Sequence, residues 1–396
     1  MTSVSSAGKH RASGDDVLDD LDAMTALDPA QMLRAVASSG AQVREAAATI
    51  DAEMLAPIVA DGRPRAVVVT GMGGSGISGD VAVAVAGRHC PVPISAYRGY
   101  GLPGWVGPMD LVIAVSCSGG TEETLSATDE ALRRGCRVVT IGAVNSEISA
   151  RSQGGRALHL PVDAHGRMPR ANLWGLAVPV LLVLDALGLA HVPRDVLVTL
   201  ADELDQIAER CGPAADTLGN PAKALALQLD GCVPYFWGAS DIASVAAARM
   251  VAQLAENAKY PAMHGPLTEV HHNQVVVMAG VFGSLSTDGD GGDDLFRDRV
   301  EDGPDRPRMR LLVLRDTDEV PQVARRAEAS LAVAEEYGVP ARDLRATGEH
   351  ALLRLASLVA PLDFASVYLA LAQGIDPSPI APIFMLKGAP APAPAD

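Results

Sequence analysis

Residues 111–124 read Leu-Val-Ile-Ala-Val-Ser-Cys-Ser-Gly-Gly-Thr-Glu-Glu-Thr. The first five are apolar and partly β-branched, which is typical of a buried strand, and a helical pattern follows from Leu125 to Arg134. Serines, glycines and a threonine therefore lie where a strand leads into a helix. A helix N-terminus offers unpaired N–H groups and about half a positive charge, so this junction has the composition of an anion site.

The hydroxyls of Ser116, Ser118 and Thr121 are the side-chain groups in this stretch that we expect to bind a phosphate. The glycines between them expose backbone N–H groups, and a phosphate site of this kind needs no lysine. Glu122 and Glu123 suit the helix dipole, and we expect them to point away from the anion. An ordinary Ser/Thr helix cap explains the same residues, so the stretch alone leaves both interpretations open.

A second glycine-rich stretch, Gly71-Met-Gly-Gly-Ser-Gly76, follows a predicted strand at 65–70 and precedes a helix predicted over 80–87. It matches the dinucleotide pattern G-x-G-x-x-G, which requires a carboxylate about 20 residues later at the end of the next strand. That strand ends in Ala-Tyr-Arg-Gly at 96–99, without a carboxylate, and Arg98 alone keeps an NADP-dependent oxidoreductase open. Two Gly/Ser loops at one edge of a sheet favour a small sugar phosphate instead.

Strands and helices alternate along the chain, which favours a parallel, doubly wound sheet of the α/β class. The strands predicted for this sheet are 65–70, 93–97, 110–115 and 137–142. A weaker second copy of the pattern begins with strands at 233–240 and 310–315. We therefore predict two α/β units in tandem, with a boundary near 205–225.

The predicted organisation has five parts. They are a disordered tail over 1–14, an N-terminal helical segment over 15–64, a phosphate-binding α/β domain over 65–210, a second α/β domain over 220–387 with an acidic loop at 284–308, and a disordered tail over 388–396. The acidic loop does not match a calcium-binding EF-hand, because Asp293 and Arg299 stand where that motif requires Gly and Glu. We expect it to be a solvated surface loop.

Composition argues against several classes of protein. A net charge of −16 disfavours a nucleic-acid binder, which needs a basic surface. Five cysteines without a C-x-x-C spacing disfavour a disulfide scaffold or a thiolate zinc site. No run of about 18 charge-free apolar residues predicts a membrane span, and residues 1–16 lack the apolar core of a secretory signal. We therefore expect a cytoplasmic protein that binds neither nucleic acid nor membrane.

Several stretches together resemble the sugar isomerase (SIS) fold. They begin with G-G-S-G at 73–76 and S-x-S-G-x-T-E-E-T at 116–124, which many sugar-phosphate proteins share. Other stretches resemble one branch more specifically, the bifunctional phosphoglucose/phosphomannose isomerases. These are M-P-R-A at 168–171, L-A-E-N-A-K-Y-P-A at 254–262, H-N at 272–273, G-I-D-P at 374–377 and L-K at 386–387. The resemblance covers about 65–387 and implies two SIS domains in tandem.

The resemblance also implies a function. It implies a metal-independent, cofactor-free isomerase, in a homodimer, that interconverts glucose 6-phosphate, mannose 6-phosphate or both with fructose 6-phosphate through a cis-enediol. It implies Glu256 as the base that moves a proton between C1 and C2, and Arg170 as the cation over the enediolate. It implies His272 and Lys387 as the groups that open the sugar ring. The residues that it places at the phosphate are Gly74, Ser75, Ser116, Ser118 and Thr121.

Each of these residues also has an ordinary explanation. Spacing alone favours Glu256 as a helix-end carboxylate paired with Lys259. His271 and His272 together suggest a metal site, although Glu269 is the only further ligand at suitable spacing. Lys387 and Arg170 also fit surface positions.

The chain departs from the family pattern at two places. Gln274 follows the H-N pair where the family usually has Glu, and Cys117 and 119–120 stand where it commonly has an aromatic residue and Gly-Asn. These departures keep a second hypothesis open, a non-catalytic sugar-phosphate sensor or partner protein.

Overall fold

The computed structural model describes residues 14–155, 157–286 and 307–388. The predicted tails, 1–14 and 388–396, and the predicted acidic loop, 284–308, lie outside these residues except at their edges. The N-terminal segment is helical. Its helices are α1 (Gly14–Leu18), α2 (Leu21–Leu27), α3 (Met32–Ala37), α4 (Ser39–Thr49) and α5 (Ala52–Ala60).

The first sheet is parallel throughout. Its strands are β1 (Val67–Thr70), β2 (Ile94–Tyr97), β3 (Leu111–Ser116), β4 (Arg137–Gly142) and β5 (Leu158–Pro161), in the order β2-β1-β3-β4-β5. The helices between them are α6 (Gly73–Ala86), α7 (Glu122–Arg133) and α8 (Glu147–Ala150). The chain runs outward from β1 to β2 and then returns to β3 on the other side of β1. The loops after β1 and β3 therefore meet at the carboxyl edge, where open α/β sheets bind ligands.

Both faces of this sheet are buried, which explains its near-continuous apolar strands. Val67 and Val69 pack into the large core that includes α6 and α9 (Leu173–Ala186). Val68 and Val112, on the opposite face, pack with Ala127 of α7. Two further helices, α10 (Arg194–Cys211) and α11 (Pro221–Leu229), lead to the second sheet.

The second sheet is also parallel. Its strands are β6 (Cys232–Gly238), β7 (Met263–Pro266), β8 (Arg308–Arg315) and β9 (Ala341–Arg345), in the order β7-β6-β8-β9. Its helices are α12 (Asp241–Gln253), α13 (Leu267–Val270) and α14 (Pro321–Glu336), and the chain continues through α15 (Ala351–Ala372) to α16 (Ala381–Leu386). The predicted α/β class with two parallel sheets in tandem is confirmed.

The two halves share one hydrophobic core. Helix α6 packs against α9 and α12, and α12 packs against α15. Helix α15 is the one helix in the described part of the chain that is long and apolar enough to cross a membrane. However, 89% of its most apolar window is buried inside the protein, which is the position of a core helix.

The structure corrects the prediction of a loop before residue 80. Helix α6 begins at Gly73, so most of the glycine-rich stretch is helical. Glycine is a poor helix former, but here it allows close packing, because a Cβ on Gly79 would lie 3.0 Å from Cβ of Ala96 on β2. Tertiary packing therefore overrides the local preference.

Candidate active site

Arg170 lies at the centre of a polar cluster that joins the two halves. It belongs to the short 3₁₀ turn Pro169–Ala171 before α9 and is only 2% exposed. Its Nε donates to Oδ1 of Asn257 at 2.7 Å, and its Nη2 donates to the carbonyls of Pro377 and Ser378 at 2.9 and 3.0 Å. Burial lowers the pKa of the guanidinium. The ordinary pKa of arginine is so high that the guanidinium remains a cation at neutral pH.

Glu256 lies beside this arginine. It belongs to a π-helical turn, Leu254–Ala258, that continues α12, and such turns are frequent at functional sites. Its Oε2 lies 3.4 Å from Nη1 of Arg170, and its side chain is 26% exposed. The next residue, Asn257, donates to Oγ of Ser366 on α15 at 2.9 Å, which anchors the turn. The Glu256 carboxylate is therefore both held near a cation and accessible.

Glu256 and Lys259 do not form the carboxylate–ammonium pair that their spacing alone suggested. The Lys259 ammonium donates instead to main-chain carbonyls, among them that of Glu256 at 3.1 Å.

A cavity of about 600 Å³ opens between the halves at this point. Its volume is in the range of small-ligand pockets. The residues that line it include Gly74, Asp80, Arg98, Arg170, Glu256 and His264. Arg98 is anchored by Asp80 and by the carbonyl of Gly76, so its charge is already partnered.

Gly74 is where the first glycine-rich stretch approaches Arg170. A Cβ at this position would lie 2.6 Å from the carbonyl carbon of Pro169 and 2.8 Å from the backbone nitrogen of Arg170. Real Cβ atoms essentially never come so close, so the site requires a residue without a side chain here.

Ser75 connects the loops after β1 and β3 rather than facing solvent. It is 5% exposed, and its Oγ accepts a hydrogen bond from the backbone N–H of Cys117 at 3.1 Å. Burial raises the pKa of the Cys117 thiol, so this cysteine is a neutral packing residue. Ser75 therefore fixes the spacing between the loops after β1 and β3.

The hydroxyls of the second loop divide into two groups. Ser116 is fully buried, accepts from the N–H of Gly119 at 3.1 Å, and lies 3.0 Å from Oγ1 of Thr121. Ser118 is exposed and Thr121 is partly exposed, so both remain accessible from outside the protein. Gly119 has φ of +72°, a conformation that glycine adopts without strain.

Both helices that start at these loops lack a side-chain cap. Thr121 is the N-cap residue of α7, and Met72 is that of α6, and neither makes a side-chain capping hydrogen bond. The hydroxyl of Thr121 is directed to Ser116 instead. The ordinary interpretation of the second loop as a plain Ser/Thr cap is therefore not supported, and the first N–H groups of both helices remain available to an anion.

The corresponding loop of the second half is built differently. After β8, Arg315 pairs with Glu319 through bonds of 2.7 and 2.6 Å, and both side chains are nearly buried. An internal ion pair thus fills the loop that in the first half is built from serine and glycine.

His272 and Lys387 lie apart from this cluster within the single chain. His272 follows α13 on an exposed turn, and Lys387 is exposed at the end of α16. Neither is among the residues that line the cavity. The structure of one chain therefore brings Arg170, Glu256 and Gly74 together at the cavity. The two predicted ring-opening groups lie outside its lining, and so do the predicted phosphate residues Ser75, Ser116, Ser118 and Thr121.

Gln274 has two partners in this structure. Its Oε1 accepts from Nε1 of Trp237 at 3.2 Å, and its Nε2 donates to the carbonyl of His264 at 3.3 Å. A glutamate could make the first bond but not the second, because a carboxylate has no donor. The amide therefore ties the turn that carries His272 to strands β6 and β7.

His271 and Glu269, which the metal alternative would use as ligands, have partners within the protein. The described residues contain no cluster of three or more His, Cys, Asp or Glu side chains that could hold a metal ion. Nε2 of His271 hydrogen-bonds to Ser330 at 2.7 Å, and Oε1 of Glu269 accepts from Asn273 at 2.7 Å.

Sequence reasoning missed a buried ion pair below the site. Arg249 on α12 donates to Asp363 on α15 at 2.9 and 2.8 Å, and its Nη2 also donates to the carbonyl of Arg170 at 2.8 Å. Both members look like isolated charges in apolar helices, and no local pattern pairs residues that lie so far apart. Asn257 and Lys259 could have been singled out from the sequence, because both belong to the stretch 254–262 that resembles the family.

Comparison with known proteins agrees with this architecture. Residues 218–389 match the family model described as the bacterial phospho-glucose isomerase C-terminal SIS domain. The chain is 30% identical over 328 residues to the bifunctional phosphoglucose/phosphomannose isomerase of Caldicellulosiruptor bescii, covering 81% of this chain and 88% of that protein. It is 29% identical to the enzyme of the same name from Aquifex aeolicus, covering 82% and 89%.

Among solved structures, the C-terminal domain of glucosamine-fructose-6-phosphate aminotransferase from Francisella tularensis superposes with a TM-score of 0.62 at 14% identity, covering 88% of this chain and 97% of that one. At this identity the likeness concerns the fold alone. The sequence match to the Caldicellulosiruptor protein extends over both halves and is strong enough to show the family. The chain belongs to the bifunctional phosphoglucose/phosphomannose isomerase family.

Proposed function

We propose that this protein is an aldose–ketose isomerase that interconverts glucose 6-phosphate and mannose 6-phosphate with fructose 6-phosphate through a cis-enediol. The observation that carries the proposal is the contact between Glu256 and Arg170 in a cavity that is also lined by Gly73 and Gly74, at the uncapped N-terminus of α6. Family membership supports the same reaction, since two relatives that align with most of this chain are named bifunctional phosphoglucose/phosphomannose isomerases.

The phosphate of the sugar binds at the loops after β1 and β3. Backbone N–H groups at the starts of α6 and α7 supply a positive potential, and the exposed hydroxyl of Ser118 adds a donor. The hydroxyl of Thr121 is held beside it by its contact with Ser116. Ser75 and Ser116 hold the loops in place, because their hydroxyls already form hydrogen bonds within the protein. Gly74 allows the turn that carries Arg170 to lie close to the start of α6.

Glu256 is the base that carries the proton between C1 and C2. Its carboxylate is accessible from the cavity, while its turn is anchored through Asn257, so it can reach a substrate without moving the backbone. A positioned general base of this kind contributes about 10²–10⁴-fold to the rate.

Arg170 stabilises the negative charge that develops on the enediolate oxygens. Its Nε and Nη2 are committed to Asn257 and to two carbonyls, which leaves Nη1, the atom that contacts the Glu256 carboxylate, as the donor beside the base. A fixed cation in a site of low polarity acts more strongly than one in water.

Ring opening is assigned to His272 and Lys387, and the site is completed in a homodimer. Both groups are exposed in the single chain, and apolar side chains that follow His272 in the sequence are also exposed. Those side chains are Val276, Val281 and Leu285, each at least half exposed. An exposed apolar surface next to a polar functional group is typical of a protein interface. We propose that a second copy covers this surface and brings one such group to the cavity.

The protein is proposed to work in the cytoplasm on free hexose 6-phosphates, without nucleic-acid or membrane partners. All five cysteines are unpaired, which suits a reducing compartment.

The test is an isomerase assay in the presence of a metal chelator, from glucose 6-phosphate and from mannose 6-phosphate, with fructose 6-phosphate as the detected product. Glu256→Gln keeps the shape of the side chain and removes the base. We expect turnover from wild type and a loss of at least about 100-fold in the variant, as for removal of a general base. Wild-type protein that binds fructose 6-phosphate without turning it over would instead identify a sugar-phosphate sensor.

A further inference from the structure

The ammonium of Lys259 is surrounded by backbone carbonyls. It lies 3.1 Å from the carbonyl oxygens of Glu256 and Asn257, 3.0 Å from that of Asp376 and 3.1 Å from that of Pro377. An ammonium has three N–H donors, so these four acceptors share them. Two of the carbonyls belong to the turn that carries Glu256, and two belong to a segment more than one hundred residues later in the chain.

The same distant segment is also held by Arg170. Its Nη2 donates to the carbonyl of Pro377, which Lys259 also contacts, and to that of Ser378. Since Nη1 of Arg170 contacts the Glu256 carboxylate, the contacts form a closed ring. The ring runs from the Glu256 turn through Lys259 to residues 376–378, and returns through Arg170.

The backbone at Lys259 is unfavourable for a lysine. Its φ is +55° and its ψ is +34°, the left-handed conformation in which glycine or asparagine is usual. A non-glycine residue in such a conformation persists when its surroundings hold it there, and such positions cluster at functional sites. Here the four carbonyl contacts of the side chain explain why a lysine occupies the end of the turn.

Residues 376–378 lead directly into α16, which ends at Lys387. We propose that Lys259 is a positioning residue for the reaction: it locks the turn of Glu256 to the segment 376–378, and so fixes the spacing of Glu256 from Arg170 and the start of the helix that leads to Lys387. This inference rests on the proposed isomerase function. It assigns to Lys259 no contact with the substrate.

The charge of Lys259 gives this role a dependence on pH. Partial burial and the positive charge of Arg170 lower the pKa of Lys259 to about 8, while the carboxylates of Asp376 and Glu256 act in the opposite direction. Below that pH the ammonium is charged and has three donors. Above it the neutral amine has two donors and no charge, so its hydrogen bonds to the carbonyls weaken.

The experiment compares Lys259→Met, which removes charge and donors, with Lys259→Arg, which keeps both. Arg88→Met, at an exposed position on the first half, is the control for loss of a surface cation. For Lys259→Met we expect kcat to fall by roughly 10–100-fold with KM changed less than about threefold, because a small misplacement of a catalytic group lowers turnover while the phosphate site is intact. Lys259→Arg should recover at least half of this loss on a logarithmic scale.

Two further readouts separate positioning from general stability. The kcat of wild type should decline above about pH 8, whereas that of Lys259→Arg should not, because arginine keeps its proton. Hydrogen exchange should be at least about fivefold faster in Lys259→Met for peptides covering 254–262 and 373–384 together, with the rest of the protein unchanged.

The outcomes distinguish the two proposals. Wild type without turnover refutes the isomerase function, and hydrogen exchange then still decides whether Lys259 joins the two segments. An active wild type with normal kcat and normal exchange in Lys259→Met overturns the positioning role. The same conclusion follows if exchange rises evenly over the whole chain, since that result means a general loss of stability.

Discussion

Gly74→Ala tests the geometry of the site with a single methyl group. The new Cβ would lie 2.6 Å from the carbonyl carbon of Pro169 and 2.8 Å from its oxygen and from the backbone nitrogen of Arg170. Ordinary van der Waals contact begins at 3.4 Å, so the turn that carries Arg170 must move by about 0.8 Å. Overpacking of this kind costs about 1–3 kcal/mol. Alanine recovers up to about 1 kcal/mol of this, because it is a better helix former than glycine in the first turn of α6.

The effect on turnover should therefore exceed the effect on stability. A shift approaching 1 Å in a catalytic group can cost roughly 100-fold in rate, and we expect kcat/KM of Gly74→Ala to fall by about that factor. The assay is isomerisation of glucose 6-phosphate, with thermal unfolding measured on the same samples. Gly104→Ala is the matched control, because a Cβ there meets nothing within 4 Å. If Gly74→Ala retains activity within about threefold of wild type, the close approach to Arg170 does not position the site, and the reasoning fails.

Two further predictions concern buried charges. Asp363→Asn should lower the free energy of unfolding by about 3–5 kcal/mol, because it leaves the buried guanidinium of Arg249 without a counter-charge; a loss under about 1 kcal/mol in urea unfolding would contradict this. Hydrogen bonds from Arg65 hold the pKa of Asp110 in the folded protein below its ordinary value of 3.8. The ionised Asp110 therefore stabilises the folded state above pH 3.8, and this stabilisation is lost as the pH falls through the lower pKa of the folded protein. Urea unfolding between about pH 6 and pH 3 should therefore show a smaller acid loss of stability in Asp110→Asn than in wild type.

Much of the fold could be predicted from the sequence because its signals are local. Strands β1, β3 and β4 are short apolar runs between turn residues, and their alternation with helices predicts parallel sheets. Three strands were missed: β5, β7 and β9. Each is a strand of four or five residues at the edge of its sheet, too short for an apolar pattern to distinguish it from a loop. Pairing with a neighbouring strand, rather than local preference, makes these segments extended.

The candidate site was predicted in part. The stretch 254–262 identified Glu256, and the stretch 168–171 identified Arg170, and the structure brings these two residues into contact. The sequence did not distinguish the accessible hydroxyl of Ser118 from the buried hydroxyl of Ser116. That difference depends on which way each side chain faces after the loop closes, and Ser116 turns inward to hold the loop.

By itself the sequence determined the alternation of strands with helices, the position of the two glycine-rich junctions and the family, because each of these depends on contiguous residues. Only the tertiary structure decided that Lys259 binds carbonyls instead of the Glu256 carboxylate, that Asp363 neutralises Arg249, and that His272 lies outside the cavity. The physical reason is that these contacts join residues far apart in the chain. They depend on how α6, α9, α12 and α15 pack around one core, and no local pattern encodes that packing.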